Sequence, residues 1–264
     1  MENFNYHRPT TPAEAAKLMK SASDGKFLSG GMTLLPTMKQ GLAAPSDIID
    51  LGGLKNAGVA VESGKVTVKA GTPHADVGAD KAVRSAIPAL AKLASGIGDP
   101  HVRNRGTIGG SIANNDPAAD YPAAVVGLDA TVVTSARRIV ADKFFTDMFA
   151  TALNDDEIVT AVEFPVPKRA AYVKFPNPAS RYAMVGVFVA ELKDGSVRVA
   201  VTGAGPKVFR VPEMERALAA KFSADAIAGI PVKANGLNSD IHASPEYRAH
   251  LVNVLARRAV AAAK

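Results

Sequence analysis

The sequence contains no cysteine in 264 residues. Disulfides, thiol nucleophiles, thiolate zinc sites and iron–sulfur clusters ligated by cysteines of this chain are therefore excluded. Tryptophan is also absent and aromatic residues make up only 6% of the chain, so the core must be built mainly from Ala, Val, Leu and Ile. Because 47% of the residues are hydrophobic, the chain is too apolar to be disordered.

Long apolar runs and a strong charge are missing as well. No apolar run approaches the ~18 residues of a membrane-spanning helix, and the N-terminus shows no apolar segment typical of a signal peptide. We therefore expect no membrane span and a cytoplasmic location. The 31 basic and 25 acidic side chains give a net charge of +6, spread along the chain, which does not indicate a nucleic-acid partner.

Common catalytic motifs are absent too. The chain has no phosphate-loop, zinc-protease, nucleophile-elbow or dinucleotide fingerprint. Its five histidines are scattered singly, which argues against a histidine metal site and favours structural or surface roles for them.

The hydrophobic pattern predicts an α+β protein in three parts, residues 1–55, 56–167 and 168–264. The first part shows a βαβαβ pattern, with Thr11 and Pro12 starting a helix. The second is richer in strands and begins with a hairpin that turns at Ser63–Gly64. The prolines of Pro165–Lys168 favour a linker, after which three strands and three helices are predicted.

Two glycine pairs carry similar flanking residues. One lies in Ser29–Thr33, between a predicted strand and a predicted helix, and the other in Thr107–Ser111. Successive glycines let the backbone approach an anion, and N–H and hydroxyl groups can then bind phosphate oxygens. Two such loops could hold the two phosphates of a dinucleotide, although each pair taken alone could be a simple tight turn.

The second pair lies in a polar, glycine-rich segment, residues 96–122, of a length that is usually functional or flexible. Arg103 and Arg105 could balance a pyrophosphate, and Asp120 could accept hydrogen bonds from sugar hydroxyls. The alternative is a surface loop in which the two arginines pair with Asp99 and Asp116.

The motifs SGGMTLLPTMK (residues 29–39) and RNRGTIGGSIANNDPAADYPAA (residues 103–124) resemble the FAD-binding medium subunit of molybdenum hydroxylases, with aerobic carbon monoxide dehydrogenase as the most similar type. The xanthine dehydrogenase flavin domain belongs to the same family. The resemblance extends over the whole chain, for example at residues 4–9, 156–158 and 244–251.

This resemblance implies a vanillyl-alcohol-oxidase-type (PCMH-type) FAD-binding fold of two α/β lobes, followed by a C-terminal domain with a three-stranded antiparallel sheet and helices. Residues 1–55 would form the first lobe, 56–167 the second, and 168–264 the C-terminal domain. Non-covalent FAD would lie between the two lobes.

The positions that match the family's cofactor contacts follow from the same resemblance. They are Leu28, Ser29, Gly30, Gly31, Met32, Thr33, Leu34, Ile97, Thr107, Ile108, Gly109, Gly110, Ser111, Asp120, Val159, Lys174 and Tyr182. Lys174 has an alternative interpretation as a solvated strand residue. Met32 replaces the usual His or Gln of the family, Thr33 keeps the hydroxyl of the usual Ser, and Ser111 replaces the usual Asn.

The implied function is electron transfer without a catalytic side chain. FAD would take electrons from the [2Fe–2S] clusters of a small partner subunit and pass them to NAD⁺, a quinone or oxygen. A large partner subunit would carry the molybdenum cofactor, and the complex would be a dimer of heterotrimers. The alternatives are a self-contained FAD-dependent oxidase, a flavin-free assembly subunit and an unrelated nucleotide-phosphate-binding module.

Overall fold

The computed structural model describes residues 1–264. Its strands form a three-stranded, a five-stranded and a four-stranded sheet, with one further two-stranded ribbon. No helix combines the length and the apolar character that crossing a membrane requires.

The first sheet is parallel, in the order β1-β3-β2. Its elements are β1 (Asn5–His7), α1 (Pro12–Ser21), β2 (Gly25–Leu28), α2 (Leu34–Lys39) and β3 (Asp47–Asp50). The Thr11 hydroxyl accepts a hydrogen bond from the Glu14 N–H at 3.2 Å and so caps α1, which Pro12 begins. The predicted βαβαβ unit is confirmed.

The second sheet is antiparallel, in the order β4-β5-β10-β6-β7. The strands and helices of this part, in chain order, are β4 (Val59–Glu62), β5 (Lys65–Lys69), α3 (His74–Ala79), α4 (Lys81–Ala86), α5 (Pro88–Ser95), α6 (Pro100–Arg105), α7 (Ile108–Asn114), α8 (Tyr121–Gly127), β6 (Thr131–Thr134), β7 (Arg138–Val140), α9 (Ala141–Phe144), β8 (Phe145–Asp147), β9 (Ala150–Thr151) and β10 (Val159–Pro165). Strands β8 and β9 form the separate ribbon.

The polar segment 96–122 does not form the surface loop that the alternative interpretation predicts. It folds into α6, α7 and the start of α8. The Asp99 carboxylate accepts from the Val102 N–H at 2.9 Å, and the Thr107 hydroxyl accepts from the Gly110 N–H at 3.1 Å. These two caps start short helices in a sequence whose glycine content disfavours them.

The third sheet is antiparallel and has four strands in chain order. Its elements and the helices after it are β11 (Arg169–Pro176), β12 (Ala183–Glu191), β13 (Val197–Thr202), β14 (Phe209–Arg210), α10 (Pro212–Ala220) and α11 (Pro245–Ala262). The three predicted strands are confirmed, and β14 adds a fourth. Two residues carry too little alternation for a sequence pattern to reveal a strand.

This third sheet is the middle layer of the molecule. On one face, Tyr172 and Phe188 join the large core shared with α5 and α8. On the other face, Val187 and Val199 pack with α10 and α11 in a second core. Because side chains alternate along a strand, β11 and β12 serve both cores, and Lys174 on the first face of β11 contacts Gly96 and Asp120.

Candidate functional site

The first glycine loop connects β2 to α2. Ser29 follows the last strand residue, Leu28, and Leu34 begins the helix. Gly31 has φ +76°, in the left-handed region that favours glycine. The four backbone N–H groups of residues 30–33 donate no hydrogen bond to any backbone carbonyl, and none to a side chain. They remain available to a ligand, and four adjacent free donors suit an anion.

Gly30 lets this loop approach the second glycine segment. A Cβ at Gly30 would overlap the backbone carbonyl of Arg105 and come within 2.8 Å of the Gly106 Cα. The obstacle is backbone, which cannot rotate aside as a flexible side chain would. Only glycine therefore fits between the two chain segments.

The second glycine pair is used differently from the first. Gly109 and Gly110 lie in the first turn of α7, after the N-cap Thr107. The Ile108 and Gly109 N–H groups donate to the carbonyls of Thr72 and Ala70, at 3.2 and 2.9 Å. Gly109 also packs tightly, since a Cβ there would lie 2.6 Å from the Ala70 Cβ. The backbone donors expected for a phosphate in this segment are thus engaged within the chain.

The two loops meet through side-chain hydroxyls. Ser29 Oγ and Thr107 Oγ1 lie 2.8 Å apart, and Thr107 is only 7% exposed. Ser111, one turn into α7, is half-buried on the same helix. The sequence motifs predicted two loops acting together, and the structure brings these two into direct contact.

The arginines of α6 do not form the ion pairs that the surface-loop alternative predicts. Arg103 donates instead to the carbonyl oxygens of Ile97 and Gly98, at 3.0 and 2.8 Å. Asp99 caps α6, and Asp116 accepts from the Ala118 N–H. Arg103 therefore braces the turn that carries Ile97, whose side chain packs against the large core.

Asp120 is the centre of a buried polar cluster. Its side chain is 3% exposed, and its Oδ1 accepts from the Tyr172 hydroxyl at 2.5 Å. The Lys174 ammonium lies 3.0 Å from Oδ1 and 3.1 Å from Oδ2. Burial raises the pKa of Asp120, while the Lys174 charge and the hydrogen bond from Tyr172 oppose that rise.

Lys174 is held from three sides. Besides Asp120, its ammonium donates to the carbonyl oxygens of Gly96 and Arg181, each at 2.9 Å. The side chain is 11% exposed, so the alternative of a solvated strand lysine is wrong. The contact with Arg181 fixes the loop that carries Tyr182, a residue that remains 45% exposed.

The remaining expected positions differ in their exposure. Val159 is 6% exposed and begins β10 next to a bulge in the pairing with β6. Partial burial, followed by the carboxylates of Asp116 and Asp120, raises the pKa of Tyr182. Met32 is 36% exposed and occupies the loop of free N–H donors.

Comparisons with known proteins identify the family of this chain. Residues 2–167 match the family described as the FAD binding domain in molybdopterin dehydrogenase. Residues 170–263 match the CO dehydrogenase flavoprotein C-terminal domain. The chain belongs to the FAD-binding family of molybdopterin dehydrogenases.

Relatives of this flavin subunit match along nearly its whole length. It is 36% identical to the nicotine 6-hydroxylase medium subunit of Paenarthrobacter nicotinovorans, covering 97% of this chain and 96% of the relative. It is 31% identical to the carbon monoxide dehydrogenase medium chain of Hydrogenophaga pseudoflava, covering 98% and 96%.

The structural comparison agrees with the sequence comparison. The solved structure of carbon monoxide dehydrogenase from Hydrogenophaga pseudoflava, in a form that lacks the Mo-pyranopterin moiety, aligns with a TM-score of 0.87 at 31% identity, covering 98% of this chain and 96% of that chain. The expected PCMH-type fold with its C-terminal domain is confirmed. The protein is thus an FAD-binding medium subunit of a molybdopterin-dependent oxidoreductase.

The residues of this flavin subunit fit an FAD diphosphate at the first loop. The free N–H groups of residues 30–33 supply donors, and Gly30 keeps the backbone close to the second segment. No group of three or more His, Asp or Glu side chains is arranged to hold a metal ion. The chemistry of the donor set is that of an anion site, not a cation site.

Sequence reasoning missed Tyr172, the second donor to Asp120. A usable signal was present, because Tyr172 and Lys174 are two residues apart on a predicted strand and therefore share a face. It also missed Asn115, which is 1% exposed and binds the turn between β8 and β9 through the carbonyls of Asp147 and Ala150.

Proposed function

We propose that this flavin subunit holds FAD non-covalently between its two N-terminal lobes and relays electrons within a larger complex. The observation that carries the proposal is the loop at residues 30–33, with four free N–H donors, joined to Thr107 through Ser29. Bound FAD supplies the redox chemistry, since it exchanges electrons both singly and in pairs. The chain's residues supply binding, orientation and charge.

Each part of the site has a separate task in this proposal. The first glycine loop binds the diphosphate through the backbone, and the hydroxyls of Thr107 and Ser111 add side-chain contacts. Ile97 and Val159 line the site with apolar surface, while Asp120, Lys174 and Tyr182 border the flavin ring. The other positions of the first loop, Leu28 and Leu34, shape its ends.

The partners in the proposal follow from the family, whose relatives are named medium subunits or medium chains, and the missing cysteines are consistent with them. A chain with no cysteine leaves every cluster ligand of the usual type to another subunit. We propose a small subunit with [2Fe–2S] clusters as the electron donor and a large subunit with the molybdenum cofactor as the site of substrate oxidation. The complex would be a cytoplasmic dimer of heterotrimers, and NAD⁺, a quinone or oxygen would accept the electrons.

The test compares the complete complex with a complex that carries Gly30→Ala in this chain and has been dialysed until its weakly bound flavin is removed. Both are reduced with limiting dithionite under anaerobic conditions and then mixed with NAD⁺, a quinone or oxygen. We expect reoxidation only in the complex that carries flavin, while the clusters of the flavin-free complex stay reduced by electron paramagnetic resonance. Equal reoxidation of both complexes would remove the flavin from the electron path.

The mode of attachment distinguishes this proposal from a self-contained oxidase. Acid precipitation of the purified chain should release all the flavin into the supernatant. Flavin retained in the pellet would indicate a covalent link and contradict the proposal, and a chain that never binds added FAD would favour an assembly role.

A further inference from the structure

The buried cluster at Asp120 joins two parts of the chain. Asp120 directly precedes α8, in the region matched by the FAD-binding family. Its two donors, Tyr172 and Lys174, lie on β11, in the region matched by the C-terminal domain. The cofactor-facing carboxylate expected from the sequence is therefore oriented by side chains of another domain.

Tyr172 is fixed in place independently of Asp120. A Cβ at Gly186, on the neighbouring strand β12, would overlap the Tyr172 hydroxyl. The Tyr172 ring also stacks on Phe188, with ring centroids 6.2 Å apart and an interplanar angle of 30°. The residue is 5% exposed, so its hydroxyl has little freedom to turn away from Asp120.

Lys174 has no donor left for a further partner. Its three N–H bonds are matched by Gly96, Arg181 and Asp120. It therefore acts on its surroundings as a positioned charge, and the position of that charge depends on the orientation of the Asp120 carboxylate. That orientation is set by the remaining donor, the Tyr172 hydroxyl at 2.5 Å.

We propose that Tyr172 is a positioning residue of the flavin site: its hydroxyl holds the Asp120 carboxylate in the orientation that places the Lys174 charge, with Gly186 providing the space. The C-terminal domain thereby completes the cofactor site. This inference rests on the proposed function, because it requires Asp120 and Lys174 to border bound FAD.

The test uses Tyr172→Phe in the full chain, with Tyr247→Phe as the matched control. Tyr247 is a 43% exposed tyrosine of the same domain, and its hydroxyl makes no hydrogen bond. Without the Tyr172 hydroxyl the Asp120 carboxylate is free to rotate away from Lys174, so the Lys174 charge is less neutralised. We expect FAD to dissociate roughly 3- to 10-fold more readily, as for the loss of one net hydrogen bond. At saturating FAD, we expect a higher flavin reduction potential and a shifted visible spectrum.

A second pair of variants tests the position of the tyrosine itself. Gly186→Ala should displace the Tyr172 hydroxyl and move the potential in the same direction. In the double variant Tyr172→Phe/Gly186→Ala the overlapping hydroxyl is gone, so the added methyl group should cost less stability than it does in the wild-type background. If Gly186→Ala lowered the stability equally in both backgrounds, the assigned contact between Gly186 and the Tyr172 hydroxyl would be contradicted.

The outcomes separate the two proposals. If the wild-type chain binds no FAD, the proposed function fails. If it binds FAD and Tyr172→Phe leaves the dissociation constant, spectrum and potential the same as in Tyr247→Phe, the positioning role is overturned and the proposed function stands.

Discussion

The hydroxyls of Ser29 and Thr107 lie 2.8 Å apart, although the two residues are 78 positions apart in the chain. The Thr107 hydroxyl also accepts from the Gly110 N–H. One hydroxyl thus caps α7 and joins it to the loop that follows β2. This contact connects the two N-terminal lobes at the proposed cofactor site.

Ser29→Ala should weaken FAD binding, because it removes the contact between the two loops but leaves the cap of α7 intact. We expect the dissociation constant to rise roughly 2- to 10-fold, the equivalent of one net hydrogen bond. Fluorescence titration of the apoprotein with FAD measures this. Ser21→Ala is the control, since the Ser21 hydroxyl bonds only to Leu18 within α1.

Thr107→Val should lower the stability of the FAD-free chain more than Ser29→Ala does, since it also removes the cap of α7. The free energy of unfolding should fall by about 1–2 kcal/mol, measured by urea denaturation of the FAD-free chain. If both variants were equally stable, the Thr107 hydroxyl would not act as a cap in solution.

Gly30→Ala should disrupt the approach of the two loops, because the new methyl group meets the Arg105 carbonyl. Overpacking against backbone costs about 2–3 kcal/mol, which predicts a roughly 30- to 100-fold weaker FAD affinity. Gly229→Ala is the matched control, since a Cβ at Gly229 meets no atom within 4 Å. An affinity for FAD equal to that of the control would contradict the close approach.

Met32→Gln restores a polar side chain that is usual in the family. Because the backbone N–H groups of residues 30–33 are free donors, we expect the FAD dissociation constant to change less than about threefold. Isothermal titration calorimetry at one ionic strength measures the FAD dissociation constants of the wild type and the variant. A tightening of tenfold or more would show that side chains, and not the backbone, dominate diphosphate binding.

His74 should make the stability of the chain depend on pH. Burial, together with the Arg103 charge, lowers the His74 pKa to about 4, and its Nδ1 has no hydrogen-bond partner. The unfolded chain binds the proton at a pKa of about 6.5, so stability is full above that pH and is lost as the pH falls toward 4.

The measurement is the free energy of unfolding at pH 7 and pH 4.5 for wild type and His74→Gln. The loss on acidification should be about 2–3 kcal/mol smaller in the variant, and the comparison cancels the contribution of groups that both proteins share. Parallel losses in the two proteins would show that His74 is already protonated, or not buried, in solution.

Local signals were sufficient for much of the fold. Thr11 and Pro12 mark the start of α1 as predicted, and a proline in the first turn likewise begins α5 and α11. By contrast, composition does not separate α3 from α4, which meet at Asp80: its backbone is extended and its side chain accepts from the Val83 N–H at the start of α4. Capping depends on the backbone conformation of one residue, and composition does not determine that.

The motifs around the two glycine pairs carry the resemblance to the family and its FAD cofactor, while the missing cysteines exclude disulfides and cluster ligands from this chain. Tertiary structure decided how each motif is used. Only folding engages the Gly109 N–H with Ala70 while leaving residues 30–33 free, buries Lys174 between three acceptors, and places Tyr172 on Asp120. These roles depend on contacts between residues up to 78 positions apart, where hydrogen-bond partners are set by packing and not by local sequence.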